Sequence, residues 1–321
     1  MDQKQPLISV VIPTFNRAEF IKDAIQSVLN QTIKDFEIFV VDDGSSDHTE
    51  DVIKTFEDPR VYYHRFKHMG FPAYPRNRGI ELSKGKYIAF LDSDDTWLPA
   101  HLEHCQKAFC DNIGAGGVFT DFYKLYNNTL ISQRATKTKY NSSTLIDMVS
   151  KFSSIGAASN VMVRRDVFNT VGYFDENKDM AGSEDWHMWV RIAWKYAFAV
   201  VPAATVILRV HGDNLTLNAE NIERSTKTAL DSIFCHDGIS PIVKPFYRSA
   251  YAEVNTLAAI NYYGSGDMKT ARNRLKDALR FRPRHIFNGR FIWTFLRTLA
   301  GKRISYNARR FKRYIRSRGR P

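Results

Sequence analysis

Apolar runs alternate with helical periodicities along the first 112 residues of the chain. Four apolar runs have the length and β-branched content of buried strands, and they span 7–15, 36–43, 60–66 and 86–94. Four segments place apolar side chains at helical spacing, and they span 17–31, 45–56, 74–85 and 99–112. This alternation across short links predicts a parallel sheet with helices on both faces. We expect Gly85 to close the third helix.

The pattern changes after Asn112. Strand-like and helical pieces are mixed from there to about 244, and the chain then becomes helical from about Pro245. We interpret the mixed region as the second half of the same α/β domain.

The net charge of +12 is unevenly distributed. Residues 268–321 contain 18 Lys and Arg but one acid, Asp277, whereas residues 1–267 carry a net charge of −5. Such a basic block predicts an anionic partner, for example lipid headgroups or another polyanion. Nucleic acid is the weaker interpretation and we expect none, because no motif for binding it accompanies the charge.

The cysteine content indicates a reducing compartment, and the hydropathy predicts no membrane span. The three cysteines, Cys105, Cys110 and Cys235, cannot pair evenly and lack metal-binding spacing. The N-terminus has no basic segment followed by an apolar one. The longest nearly apolar stretch has 13 residues, short of the roughly 20 that span a bilayer. We therefore expect a cytoplasmic protein without a signal peptide or a membrane span.

The stretch "FLDSDDTWLP" places three aspartates directly after a buried strand. Asp92 and Asp94 can turn into the same opening, where they repel each other unless a cation lies between them. Oxygen ligands at this spacing suit Mg²⁺ or Mn²⁺, with a substrate phosphate completing the coordination shell. The alternative is a solvated turn in which Asp95 caps the next helix. Capping explains one aspartate, so we favour the metal site.

Polar residues also follow the first two strands, in "PTFNR" and "VVDDGSSD". Ligands of parallel sheets bind beyond the carboxyl ends of the strands, so these segments should share one crevice. An ordinary tight turn explains Gly44, Ser45 and Asp47. It explains Asp42 and Asp43 less well. A carboxylate that points into the crevice could accept hydrogen bonds from a nucleobase or ribose.

Two further segments carry charged candidates. Arg76 near the start of the third helix should face the crevice and bind anions, whereas Arg78 should face outward. In "AGSEDWHMWVRIAWKY", capping by Ser183 and a core position for Trp189 explain much of the pattern. Asp185 nevertheless has the setting of a general base for a sugar hydroxyl. His211 is either a satisfied surface or core residue or a ligand of metal or phosphate.

These motifs resemble family two of the nucleotide-sugar-dependent glycosyltransferases, which have the GT-A fold. The motifs are "SVVIPTFNR", "VVDDGSSD", "RNRG", "DSDD", "GYFDE" with "SEDWHMWVRIA", and "RVHGDN". The resemblance covers roughly 7–216. It implies a Rossmann-like, mainly parallel sheet with helices on both faces, followed here by a C-terminal helical extension. The domains implied are 1–244 for the GT-A domain, with a nucleotide-binding half at about 1–112 and an acceptor half at about 113–244.

The resemblance also implies roles for individual residues. The nucleotide pocket would be lined by Pro13, Thr14, Phe15, Asn16 and Arg17. Asp43 would bind the base, and Arg76 would lie near the phosphates. Asp92 and Asp94 would form the DXD pair on the metal and nucleotide sugar, with Asp94 the direct ligand and His211 a further metal ligand. Asp185 would be the catalytic base, with Glu184 and Trp186 on the acceptor side.

The implied activity is inverting, metal-assisted transfer of a sugar to a hydroxyl group. The donor would be a nucleoside-diphosphate sugar, by family habit a uridine diphosphate one, and the cofactor Mg²⁺ or Mn²⁺. The acceptor would be a glycan or a lipid-linked glycan in cell-surface polysaccharide synthesis. One displacement inverts the anomeric carbon without a covalent enzyme intermediate.

The C-terminal region carries two further patterns. Residues 245–284 resemble a tetratricopeptide-like helical hairpin, with signature spacings at Ala259, Tyr262, Gly266, Ala271, Leu275, Ala278 and Pro283. Residues 285–321 read as a basic amphipathic tail in which Phe287, Phe291, Phe295 and Leu299 form a stripe. This tail predicts contact with an anionic membrane surface, on the cytoplasmic face of the inner membrane. The alternative is a core-packing helix followed by a solvated basic end.

Two other functions remain open from the sequence. "FLDSDDT" also fits the D-x-D-x-T start of haloacid-dehalogenase-type phosphatases, although three predicted strands precede it here. The second alternative is a catalytically silent scaffold that binds a sugar or a nucleotide. The acidic residues Asp92, Asp94 and Asp185 argue against the scaffold.

Overall fold

A computed structural model describes residues 5–126, 129–133, 144–152, 155–212 and 218–300. The chain divides into two compact units. The first comprises Met1–Met148 with Ser153–Asn214, and the second comprises Val149–Phe152 with Leu215–Pro321.

Nine strands of the described residues form one sheet in the first unit. They are β1 (Ile8–Thr14), β2 (Phe36–Asp42), β3 (Val61–Arg65), β4 (Tyr87–Phe90), β5 (Thr96–Trp97), β6 (Ala115–Tyr126), β7 (Thr129–Gln133), β8 (Val161–Arg164) and β9 (Ala197–Arg209). The strand order is β3-β2-β1-β4-β8-β6-β9-β5, and β7 pairs with β6 beside this path.

Most of the sheet is parallel. β3, β2, β1 and β4 run in one direction, β8 is antiparallel to both β4 and β6, and β9 is parallel to β6. The carboxyl ends of β1, β2, β4, β6 and β9 therefore lie along the same edge. Every residue of β1 and β2 is buried, as continuous apolar runs predict for strands covered on both faces. The predicted α/β fold with a mainly parallel sheet is confirmed.

Helices connect these strands. They are α1 (Ile21–Leu29), α2 (Thr49–Lys54), α3 (Ala73–Leu82), α4 (His101–Asp111), α5 (Thr144–Ser150), α6 (Val167–Val171) and α7 (Glu184–Lys195), of which α5 continues into the second unit. α7 contributes Trp189, which is fully buried and contacts the rings of Phe90 and Phe174. This packing fixes α7 against β4.

Two predicted boundaries differ from the structure. β4 ends at Phe90, and a turn follows in which Asp95 N donates to Asp92 O at 3.0 Å, so the predicted strand 86–94 is too long. The third helix ends at Leu82 and not at Gly85. Gly85 instead packs on β1, where a Cβ atom would lie 2.5 Å from the backbone nitrogen of Ser9. The close approach of two backbones therefore requires this glycine.

The second unit is helical, as predicted for the C-terminal extension. Its helices are α8 (Ala219–Cys235), α9 (Ser240–Val243), α10 (Tyr247–Ser265), α11 (Met268–Phe281) and α12 (289–300). α10 and α11 form a hairpin around a buried cluster that includes Ala259, Ala271, Leu275 and Ala278. Gly266 ends α10 in the left-handed conformation with φ 98°, which favours glycine. None of the described helices combines the length and the apolar character needed to cross a membrane.

The first unit ends before α8, whereas the predicted boundary lies at 244. α8 is joined to the hairpin, because Arg274 Nε on α11 forms an ion pair with Glu223 Oε1 on α8 at 2.6 Å. A sequence pattern does not reveal this ion pair, because 51 residues separate its two partners.

We predict that Gly85→Ala lowers the free energy of unfolding by about 1–3 kcal/mol, because the added methyl group meets backbone that cannot move aside. Urea denaturation would measure the change. Gly114→Ala is the matched control, since a Cβ atom there meets nothing within 4 Å, and it should change stability by less than about 0.5 kcal/mol. Equal effects of the two substitutions would contradict the explanation.

Candidate active site

The segments that follow β1, β2 and β4 leave the sheet side by side. Thr14 and Asp42 are register partners at the ends of β1 and β2. The ladder continues past them, since Asp43 N donates to Thr14 O at 2.9 Å. Leu91 N likewise donates to Val11 O at 3.0 Å, directly before Asp92. Parallel pairing therefore brings the predicted polar segments to one edge.

The segment of Pro13–Arg17 is held by the turn after β2. Asn16 adopts a left-handed backbone with φ 50°, and its side-chain oxygen accepts a hydrogen bond from Ser46 N at 2.8 Å. Arg17 N donates to Thr49 Oγ1 at 2.9 Å. Pro13 is buried within β1. The two loops thus form one rigid wall of the crevice, and Asn16 supports the wall through its side chain.

Two predicted nucleotide-binding residues, Phe15 and Asp43, contact the segment 68–70, which was not predicted to belong to the site. Phe15 is 37% exposed, and its ring stacks on His68 with centroids 4.1 Å apart. Asp43 is buried and accepts hydrogen bonds from Met69 N at 2.8 Å and Gly70 N at 2.9 Å. In this structure both carboxylate oxygens of Asp43 therefore hold the 68–70 segment, where a direct contact with a base was predicted.

The last residues of β1 and β2, Thr14 and Asp42, complete the region. Thr14 is buried, and its Oγ1 has no hydrogen-bond partner among the described residues. A buried hydroxyl of this kind is normally satisfied, so Thr14 is an exception among the polar residues at this edge. Asp42, by contrast, is saturated, because it accepts from Ser45 N, Ser45 Oγ and Tyr63 OH at 2.7–2.8 Å.

A buried arginine joins the end of β4 to the start of α7. Arg76 Nη2 donates to Asp92 Oδ1 at 2.7 Å, and Arg76 Nη1 donates to Glu184 Oε1 at 2.5 Å. The second oxygen of Glu184 accepts a bond from Gly182 N at 2.6 Å. Arg76 was predicted to lie near phosphates, but both ends of its guanidinium fork are already paired. Its position is that of a bridge between two acidic segments. Arg78, predicted to face outward, is half-buried and pairs with Glu81 at 2.9 Å.

Asp185 is the next residue after Glu184 and is partly buried. Its Oδ1 accepts a hydrogen bond from Trp186 N at 2.6 Å. Burial and then the neighbouring Glu184 carboxylate raise the pKa of Asp185 to about 7, whereas Arg76 acts in the opposite direction. A carboxyl group with this pKa can exchange a proton near neutral pH.

Asp94 and His211 lie together. Asp94 Oδ2 is 2.8 Å from His211 Nε2, and the ring of His211 stacks on Phe20 at 4.9 Å. Asp95 places the histidine there, because it accepts a hydrogen bond from Arg209 N at 2.9 Å. Burial, with the charges of Asp94 and Asp92, raises the pKa of Asp95 well above its usual value. Asp95 does not cap α4, which has no side-chain cap.

Asp92, Asp94 and His211 could bind a divalent cation only together with further ligands. Among the described residues, no group of three or more His, Cys, Asp or Glu side chains is arranged to hold a metal ion. Asp94 and His211 offer an oxygen and a nitrogen donor, and Asp92 lies two residues away. Mg²⁺ and Mn²⁺ sites of this kind take one or two carboxylates and complete the shell with substrate phosphates and water. The donor set therefore fits such a metal when a diphosphate is bound.

The predicted acceptor-side residues occupy different positions from those expected. Trp186 is 3% exposed, so it offers almost no surface to an acceptor. Glu184 is buried and paired with Arg76. The first turn of α7 points into the protein and leaves Asp185 as its partly exposed acid.

Two supporting residues were not predicted to belong to the site. Ser159 Oγ accepts from Asp92 N at 3.0 Å and donates to Asp95 Oδ2 at 2.6 Å, so it holds the aspartate turn from below. Asn77 is buried and exchanges hydrogen bonds with Phe174 in both directions at 2.9 Å. The only sequence signal for Asn77 was its place next to Arg76 in "RNRG".

The family profile described as Glycosyl transferase family 2 matches residues 9–172. The chain belongs to this family. The resemblance in the motifs is thereby confirmed, and the phosphatase interpretation of "FLDSDDT" is wrong. In agreement, β4 is the fourth strand of the chain, whereas that motif belongs on a first strand.

Relatives with curated names support the assignment to family 2. A glycosyltransferase of Rickettsia bellii is 30% identical over 67% of this chain and 30% of its own length. The putative teichuronic acid biosynthesis glycosyltransferase TuaG of Bacillus subtilis is 38% identical over 32% of this chain and 42% of its own. The Escherichia coli glucosyltransferase WfaP, which acts on GlcNAc-diphosphoundecaprenol, is 27% identical over 59% of this chain and 71% of its own. The chain thus spans less than half of the first two relatives.

Solved structures of glycosyltransferases share the fold of this family-2 chain. Staphylococcus aureus TarS 1–349 superposes with a TM-score of 0.64 at 18% identity, over 87% of this chain and 82% of TarS 1–349. The mannosyltransferase PcManGT of Pyrobaculum calidifontis superposes with a TM-score of 0.60 at 17% identity, over 91% of this chain and 84% of its own. The predicted GT-A fold is confirmed.

We predict that Glu184→Ala in this family-2 protein lowers the free energy of unfolding by about 3–5 kcal/mol, because it leaves the buried Arg76 charge with one partner fewer. Glu81→Ala is the control, since it removes the half-exposed partner of Arg78 and should cost less than about 1 kcal/mol. Urea denaturation of both variants would measure the difference. Similar losses in the two variants would contradict a structural role for the Arg76 bridge.

Proposed function

We propose that this protein transfers a sugar from a nucleoside-diphosphate donor to a hydroxyl group of an acceptor, with inversion at the anomeric carbon. The single observation that carries the proposal is the Arg76 bridge. It connects Asp92, which follows the carboxyl end of β4, to the start of α7, where Asp185 lies. A diphosphate and a base for the acceptor hydroxyl would thus be neighbours.

The donor side of the proposal rests on the wall formed by the loops after β1 and β2. Phe15 and His68 offer a stacked aromatic surface, and Phe15 is 37% exposed. An apolar face of this kind suits a nucleobase. TarS has been solved with UDP-GlcNAc, and PcManGT with GDP-Man and Mn²⁺. We propose the same ligand class here, with a uridine carrier preferred.

Asp94, Asp92 and His211 would hold Mg²⁺ or Mn²⁺ together with the donor diphosphate. The bound cation supplies positive charge against the negative charge that develops on the leaving diphosphate. Asp92 is kept oriented for this task by Arg76 and by Ser159, which accepts a hydrogen bond from its backbone nitrogen.

The chain's own chemistry would be a proton transfer at Asp185. Its carboxylate accepts the proton of the acceptor hydroxyl as that oxygen bonds to the anomeric carbon from the face opposite the leaving group. The bond between the anomeric carbon and the diphosphate oxygen breaks, and the nucleoside diphosphate departs with the electron pair. A pKa of about 7 leaves a substantial fraction of Asp185 ionised at neutral pH, so it is ready to accept this proton.

We propose that the acceptor is a glycan or a lipid-linked glycan of a cell-surface polysaccharide. The names of TuaG and WfaP, which refer to teichuronic acid and to a diphosphoundecaprenol acceptor, support this class. We also propose a cytoplasmic location, with contact to an anionic membrane surface through residues 285–321, of which 301–321 lie outside the described residues.

We expect Asp185→Asn to abolish sugar transfer while nucleotide binding persists, because asparagine keeps the shape of the side chain but cannot accept the proton. Calorimetry with nucleoside diphosphates and Mn²⁺ would measure binding, and a screen of nucleotide sugars would measure turnover. Transfer at the wild-type rate in this variant would rule out Asp185 as the base. Donor hydrolysis by the wild type would exclude a silent scaffold.

The pH dependence provides a second test of Asp185. Only the deprotonated carboxylate accepts a proton, so kcat/KM should rise with pH and level off above an apparent pKa of about 7. Donor binding measured over the same pH range serves as the control, because it separates a change in donor affinity from a change in proton transfer. A rate that follows donor binding at every pH would assign the transition to another group.

A further inference from the structure

We infer that one face of α12 docks on the surface of a bilayer containing anionic lipid. The apolar face consists of Ile292, Trp293, Leu296 and Leu299, which are 42%, 57%, 50% and 60% exposed. This inference deepens the proposed membrane contact by assigning it to named residues. Vesicle binding requires no sugar transfer, so either proposal can fail alone.

The opposite side of α12 is part of the core of the second unit. Phe291 is 4% exposed and belongs to the cluster between α10 and α11. Thr294 and Thr298 are also buried, and their hydroxyl groups donate to the carbonyls of Arg290 and Phe295 at 2.7 and 2.8 Å. α12 is therefore seated by one side, and the apolar face is held outward.

The geometry changes the stripe expected from the sequence. The spacing at Phe287, Phe291, Phe295 and Leu299 predicts that these four residues share one face. At 100° per residue, however, Phe291 points to the core, whereas the four residues of the apolar face cover an arc of about 120° on the other side. Phe287 is 81% exposed in the turn before α12 and extends the uncovered surface.

The positive charge around the apolar face favours anionic lipid over a second copy of the chain as its binding partner. Arg290 and Arg297 lie beside the apolar arc, and the guanidinium of Arg297 is 4.7 Å from the centre of the Trp293 ring. The sequence from 301 onward adds nine Lys and Arg and no acid. A second copy of the chain would bring two such basic segments together, whereas anionic headgroups would neutralise them. Apolar side chains including a tryptophan, with arginines along one edge, suit the boundary between headgroups and acyl chains.

Co-sedimentation of the full-length protein with vesicles tests the inference. The vesicles consist of phosphatidylcholine alone or with roughly one third phosphatidylglycerol. The wild type should bind the anionic vesicles, and Trp293→Ser with Leu296→Ser should weaken binding at least tenfold, since both changes remove apolar contact. Arg290→Gln with Arg297→Gln should weaken binding and reduce its dependence on salt.

Ile113→Ser is the matched control, because Ile113 is 88% exposed but lies in the first unit, and it should leave vesicle binding unchanged. Circular dichroism, the unfolding midpoint and donor hydrolysis without vesicles should be the same for the Trp293 and Leu296 double variant as for the wild type. Unchanged vesicle binding by the double variant would overturn the inference. A shift of the monomer–dimer equilibrium without a change in vesicle binding would also overturn it, and would assign the apolar face to a second copy.

Discussion

One buried guanidinium group sets the geometry of the candidate site. Arg76 carries a single positive charge into a region with three carboxylates, those of Asp92, Glu184 and Asp185. A planar fork can satisfy two carboxylates at fixed angles, which a lysine ammonium cannot do. The turn after β4 and the start of α7 are therefore held at one distance. Because the negative charge exceeds the positive charge, the site favours a proton on Asp185 or a cation from outside.

The other acidic residues at this edge are arranged as acceptors of backbone hydrogen bonds. Asp43 closes the 68–70 segment, Asp42 holds its own turn, and Asp95 ties the end of β9 to the turn after β4. Each of them is buried, and each accepts at least two hydrogen bonds, which reduces the cost of removing a carboxyl group from water. For Asp95 burial still dominates and raises its pKa. The abundance of acids at the strand ends thus has two explanations, the ligand role that we propose for Asp92 and Asp94 and the hydrogen bonding provided by the others.

The sequence predicts the parallel half of the sheet because β1, β2 and β4 are continuous apolar runs, which are typical of strands covered on both faces. It also predicts that Asp92, Asp94, Asp185 and Arg76 belong to one edge, since parallel topology and the family motifs point there. The pairing of Arg76 with Glu184 could not be predicted, because it joins residues 108 positions apart that have no periodic relation. The same holds for Ser159, whose role depends on the insertion of β8 between β4 and β6.

The residues at the start of α12 determine which side of the helix is exposed to solvent. Asn288 accepts hydrogen bonds from Arg290 N at 2.8 Å and Phe291 N at 3.3 Å, and its amide donates to Glu253 at 2.7 Å. Gain or loss of one residue after Asn288 would rotate everything downstream by about 100°, turning Thr294 and Thr298 away from the core. Length changes here are therefore tolerable only in whole helical turns. Such phase dependence makes this short segment more sensitive to insertion than to most substitutions.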